Sequence, residues 1–122
     1  VMVVHSADGL DELSIADKTF IAELKDGNVT TYSIHPEEFG FSLGNLNDIK
    51  ANDAEGSLAL IKEAFSGQNG TAKDIISLNA GAAIYVSGLT TSLQSGVDRA
   101  NQALSNGSAQ KKLEDYVKAS NG

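Results

Sequence analysis

The 122 residues carry nine basic and 16 acidic side chains, for a formal charge of −7, with 41% apolar residues and no cysteine. That composition suits one compact domain in a reducing cytoplasm and excludes disulfides and thiolate metal sites. The acidic balance and the lack of any run near ~18 apolar residues argue against a nucleic-acid partner and against a membrane. The chain opens on Val1-Met2-Val3-Val4, all apolar and three of them β-branched. Met2–His5 therefore reads as a short strand buried on both faces. A central strand at the very first residue predicts a fragment whose N-terminal neighbours are missing, since domain ends are usually loosely held.

Residues 5–14, HSADGLDELS, follow that strand and hold three carboxylates, Asp8, Asp11 and Glu12, with no Lys or Arg nearer than Lys18. Like charges this close repel and need compensation from water, a helix N-terminus or a cation. Next comes a hairpin. TFIAEL places Phe20, Ala22 and Leu24 on one face, and VTTYSI places Thr30, Tyr32 and Ile34 on one face. Between them Asp26-Gly27 forms a preferred two-residue turn. Pro36 ends the pattern, having no N–H for a ladder.

From residue 52 the apolar period becomes helical. Asn52 reads as an N-cap with Glu55 three positions on, Leu58, Ile61 and Phe65 form a stripe, and Gly67 is a natural stop. A second helix opens at Thr71. Ile75, Ile76, Leu78, Ala82, Ile84 and Val86 cover most of its circumference, which predicts burial, and Ala80–Ala83 permit close packing. Two amphipathic helices follow, one through Leu93, Val97, Ala100 and Leu104, the other through Leu113, Tyr116 and Val117. The class is α/β: one buried strand, a β-hairpin and four helices. Three strands are few partners for so apolar a second helix, which again predicts neighbours outside the chain.

Asp11 and Glu12 are the sharpest chemical feature. Loops at strand C-termini are where open α/β sheets bind ligands. Hard carboxylate oxygens suit Mg²⁺, whose remaining positions go to water and substrate phosphate. The same residues also read as a solvated acidic turn, the common fate of acidic side chains. His5 and His35, thirty positions apart on different elements, read as structural or surface residues. Asn79, on the apolar helix, reads as a partner for backbone groups of a loop. Ser6 has no His–Asp arrangement to make it a nucleophile.

VVHSADGLDELS, AELKDGNVTTYSIHPEEFGF and SLNAGAAIYVSGLTTSLQSGVDRANQAL, in that order, resemble the C-terminal portion of anthranilate phosphoribosyltransferases. The resemblance implies a fold similar to nucleoside phosphorylases and transfer of phosphoribosyl from phosphoribosyl diphosphate to anthranilate, in tryptophan biosynthesis. It implies that Asp11 and Glu12 match the acidic pair that coordinates Mg²⁺. It further implies that residues 1–122 are the C-terminal portion of the α/β domain. The N-terminal helical domain that would form a homodimer, the glycine-rich diphosphate loop and the anthranilate-binding Arg are not among them. The chain alone is then expected to be inactive and to carry no catalytic residue of its own. The alternatives are a nucleoside-phosphorylase relative, a non-catalytic paralogue, or a free-standing interaction module.

Overall fold

A computed structural model describes all 122 residues. Three strands, β1 (Met2–Ser6), β2 (Thr19–Lys25) and β3 (Asn28–Ile34), form one antiparallel sheet in chain order. Four helices follow: α1 (Ala54–Phe65), α2 (Thr71–Val86), α3 (Leu93–Ser105) and α4 (Ser108–Asn121). Two short 3-10 turns, Pro36–Phe39 and Leu46–Ile49, bridge sheet and helices where the sequence marked only a break at Pro36. The hairpin closes as expected. Asp26 and Gly27 take φ of 51° and 78°, and Lys25 pairs with Asn28. Two left-handed residues give the turn a twist that matches the strands it joins.

Strand register decides which side chains reach the core. Val4, Ile21 and Tyr32 lie in one row and face the helices. Val3, Ala22 and Thr31 lie in the next row and face outward. The expectation that β1 is buried on both faces is therefore corrected. Met2, Val4 and Ser6 are covered, but Val3 is 66% exposed and His5 is exposed beside it. An apolar run reports an affinity for a partner, not whether that partner belongs to the same chain. Phe20 and Leu24 share the open face, whereas Ile21 enters the core.

The core joins Ile21 and Ile34 of the sheet to Ile75 and Leu78 of α2 and Val97 of α3. Leu13 and Ile15 complete it from a loop, both essentially inaccessible to solvent. Helix α2 lies between sheet and α3, with which it shares its broadest contact. The two helices cross at Gly81 and Gly96. A Cβ on Gly81 would stand 2.6 Å from the Val97 backbone nitrogen, and one on Gly96 would collide with the Gly81 carbonyl oxygen. The small residues of α2 thus serve the close approach that the sequence predicts, but α2 is not encircled. Ala83 and Val86 remain exposed.

Side-chain caps start α1 and α3, from Asp53 and Ser92, whereas α2 and α4 start at Gly70 and Gly107. The α1 cap is Asp53, not Asn52: Asp53 Oδ1 accepts the Gly56 N–H at 2.7 Å. Both residues suit a cap, and the backbone turn selects the second. Gly67 ends α1 with φ of 80°. The stripes of the outer helices are only partly used. Ala64 is the buried residue of α1 while Leu58 is exposed, and Tyr116 of α4 is 68% exposed.

Glu23 pins the hairpin to α2. Its two oxygens accept hydrogen bonds from Tyr85 Oη at 2.6 Å and Tyr32 Oη at 2.9 Å. The Tyr85 bond is the main reason that the carboxyl sits below its ordinary value, with the Tyr32 bond adding to it against some desolvation. Burial first, then the bond to Glu23, pushes the Tyr32 hydroxyl well above the usual phenol range.

Two outcomes are expected. Gly96→Ala destabilises the chain by about 3 kcal/mol, the upper part of the range for overpacking, because the obstacle is backbone rather than a mobile side chain; urea unfolding measures it. A lowered carboxylate stabilises the fold above its unfolded value and loses that contribution as pH falls through its folded value. The urea midpoint of Glu23→Gln therefore lies below that of the unaltered chain at pH 7, and the gap narrows once pH drops below about 4.5.

Candidate functional site

Residues 7–18 leave the C-terminal end of β1 and return to β2. Their path is set by one acid and two serines. Asp8 Oδ1 accepts from Ser6 Oγ and Asp8 Oδ2 from Ser14 Oγ, and the Leu10 N–H adds a longer contact at 3.4 Å. Ser14 and Ser6 are fully buried, and Ser14 Oγ also accepts the Ala16 N–H at 3.0 Å. Burial by itself raises the Asp8 carboxyl, but the hydrogen bonds from Ser14, Ser6 and Leu10 outweigh it and leave the group below the ordinary carboxylate range. One of the three clustered charges is thus compensated by hydrogen bonding, and its role is scaffolding.

The other two are not. Asp11 and Glu12 are exposed, and neither carboxylate accepts a hydrogen bond or pairs with a cation. Lys18, the nearest base in sequence, lies over the Phe20 ring at 5.3 Å instead. Partial burial, then the charge of Asp11, pushes Glu12 above its ordinary value. No third His, Cys, Asp or Glu gathers near them to close a protein cage. Two hard oxygen donors with open surroundings fit Mg²⁺, which keeps waters and takes phosphate oxygens, rather than a fully enclosed ion.

The helix side of the loop is held by Asn79. Its Oδ1 accepts the Leu13 N–H at 2.9 Å and its Nδ2 donates to the Leu13 carbonyl at 2.9 Å, with a further bond to Ile75 O at 3.0 Å. The expectation that this amide satisfies a loop's backbone is met in full. The histidines do not join the acids. His5 faces out from the sheet, and His35 caps the first 3-10 turn with its Nδ1 3.4 Å from Glu37. Ser6 is buried against Asp8 with no imidazole at hand, so it serves as a structural hydroxyl. Sequence reasoning did not separate Asp8 from its neighbours, nor place Leu13 and Ile15 in the core. The available signal was the pair of serines flanking Asp8 and the alternation of Leu13 and Ile15.

Residues 1–110 match the glycosyl transferase family, a/b domain. The chain belongs to this family. An anthranilate phosphoribosyltransferase of Ruthia magnifica subsp. Calyptogena magnifica is 60% identical over 120 residues, 98% of this chain and 35% of that protein. One from Marinomonas sp. is 50% identical over 119 residues, 96% of this chain and 34% of that protein. This member of the glycosyl transferase family therefore spans about a third of the length of the curated relatives it matches. Among solved structures, an anthranilate phosphoribosyltransferase from Thermus thermophilus superposes with a TM-score of 0.84 at 35% identity, over 96% of this chain and 34% of that one. The Saccharomyces cerevisiae enzyme in complex with PRPP and Mg has the same fold, with a TM-score of 0.81 at 24% identity over the same shares.

Asp11→Asn removes one of the two causes that raise Glu12. The Glu12 carboxyl is expected to titrate lower in that variant, followed through its side-chain carbon by NMR. Because ionising a carboxyl whose folded value is raised costs stability above its unfolded value, the variant is at least as stable as the unaltered chain at pH 7.

Proposed function

We propose that this chain is the metal-carboxylate part of an anthranilate phosphoribosyltransferase, in which Asp11 and Glu12 hold Mg²⁺ for phosphoribosyl diphosphate. The observation that carries the assignment is the uncompensated pair itself. Two adjacent carboxylates stand free at the end of β1, in a loop otherwise saturated with hydrogen bonds. They do so in a chain whose relatives bear that enzyme's name over nearly its whole length.

The proposed reaction breaks the bond between ribose C1 and the diphosphate, whose oxygen keeps the electron pair, and forms a bond from the anthranilate nitrogen to C1. The amine then gives up a proton. Bound Mg²⁺ supplies Lewis-acid stabilisation of the charge gathering on the diphosphate. Asp11 and Glu12 present that charge-bearing site from a loop whose backbone is held on either side of them, so the segment that carries them is in place before substrate arrives. Partial burial is the main cause that raises Glu12 and the Asp11 charge adds to it; that repulsion is relieved when a cation is shared between them. Neither acid touches the reacting carbon in this account, and no residue of this chain is assigned as catalytic. The diphosphate loop and the anthranilate site belong to the rest of the enzyme, which on this reading is cytoplasmic and pairs as a homodimer through a helical domain. Residues 1–122 are accordingly proposed as the C-terminal portion of its α/β domain, inactive alone.

A chimera tests the assignment. The 120 residues that match the Ruthia magnifica relative at 60% identity replace their counterpart in that protein. Transfer is assayed with phosphoribosyl diphosphate, anthranilate and Mg²⁺. The chimera is expected to turn over, and Asp11→Ala with Glu12→Ala is expected to lower kcat/KM by about a thousandfold, the several kcal/mol that metal stabilisation of leaving-group charge is worth. Ordinary turnover in the double variant removes the metal role.

A further inference from the structure

The loop's hydrogen bonds stop on either side of the acidic pair. On one side the Leu10 carbonyl, which belongs to the peptide preceding Asp11, accepts from the Ser6 N–H at 3.2 Å, and the Leu10 N–H donates to Ser6 Oγ at 2.8 Å. On the other side the Leu13 N–H, which belongs to the peptide following Glu12, donates to Asn79 Oδ1 at 2.9 Å. The planes of those two peptides are therefore fixed, and only the peptide between Asp11 and Glu12 is unclamped. Ser6 holds the first plane from within the loop's own hairpin of backbone. Asn79 holds the second from 66 residues away in sequence.

We propose that Asn79 is a positioning residue for the metal-binding acids: it sets the backbone of Glu12 through the Leu13 peptide and so fixes the segment from which the two carboxylates project. This rests on the assignment of Asp11 and Glu12 to Mg²⁺. Three features make Asn79 suited to the task. Its amide engages both the donor and the acceptor of Leu13, which defines a direction as well as a distance. Its third bond, to Ile75 O of its own helix, removes side-chain freedom. The helix that carries it packs backbone to backbone against α3 at Gly81 and Gly96. Aspartate at this position keeps one of the two bonds to Leu13, and alanine keeps neither.

Mn²⁺ alone, a paramagnetic substitute for Mg²⁺ at oxygen ligands, provides a readout separate from activity. The 122-residue chain is compared with Asn79→Ala and with Leu113→Ala, a control that loosens α4 where it meets α1, away from both the loop and the Gly81–Gly96 contact. In the unaltered chain the Leu13 amide is expected to exchange slowly with solvent, and Mn²⁺ to broaden the resonances of Asp11 and Glu12. In Asn79→Ala, Leu13 exchange accelerates and the Mn²⁺ dissociation constant rises about tenfold, the low end of the range for removing support behind a metal ligand. Leu113→Ala leaves both nearly unchanged. Equal Mn²⁺ affinity in the unaltered chain and Asn79→Ala, or an equal loss in the control, overturns the positioning role while the metal assignment stands. Absence of broadening at Asp11 and Glu12 in the unaltered chain overturns the metal assignment and the positioning role together.

Discussion

The loop between the first two strands depends on a single ionised side chain. Asp8 receives the hydroxyls of Ser6 and Ser14, two buried groups on either side of it in the chain, and so closes the segment on itself. Once that bond set is made, Leu13, Ser14 and Ile15 are directed inward and the residues before them outward. The hydrophobic anchors then fasten the loop to the core, and Asn79 fastens its far end to α2. The same short stretch thus contains an acid whose charge is satisfied by donors and two that are left to water or to a cation. Chemistry of the exposed pair is possible because Asp8 has already resolved the geometry around it.

Elements governed by local rules were legible in the sequence. The Asp26-Gly27 turn needs positive φ at both positions, and Gly67 ends a helix for a similar reason, so each was readable from two or three residues. Thr71 and Leu93 begin helices where the apolar period begins. The candidate acids were legible as a charge cluster, but their division of labour was not. Whether a carboxylate meets hydroxyls or solvent depends on how residues 6, 8 and 14 fold onto one another, and spacing alone does not encode it. Asn79 was legible in kind, as an amide on an apolar helix that must find partners, while the identity of the partner was a tertiary fact.

Other misses share a cause. Asn52 and Asp53 are both good caps, and the choice belongs to the backbone conformation rather than to residue type. Leu13 and Ile15 alternate over too short a stretch to register as a strand, though each packs as deeply as any strand residue here. The outer face of the sheet, with Val3, Phe20 and Leu24 in the open, shows the limit of hydrophobic patterning. A pattern identifies surfaces that resist water, and the chain's own fold determines which of them it covers.

The meeting of Gly81 with Gly96 has a mechanical consequence. Two backbones in direct contact, without intervening methyl groups to compress, behave as a strut rather than a spring. Force applied along the third helix reaches the second with little damping, and the amide projecting from that second helix shares its displacement. The accuracy with which a surface loop is held is thereby borrowed from the stiffness of a glycine seam buried on the opposite side of the same helix.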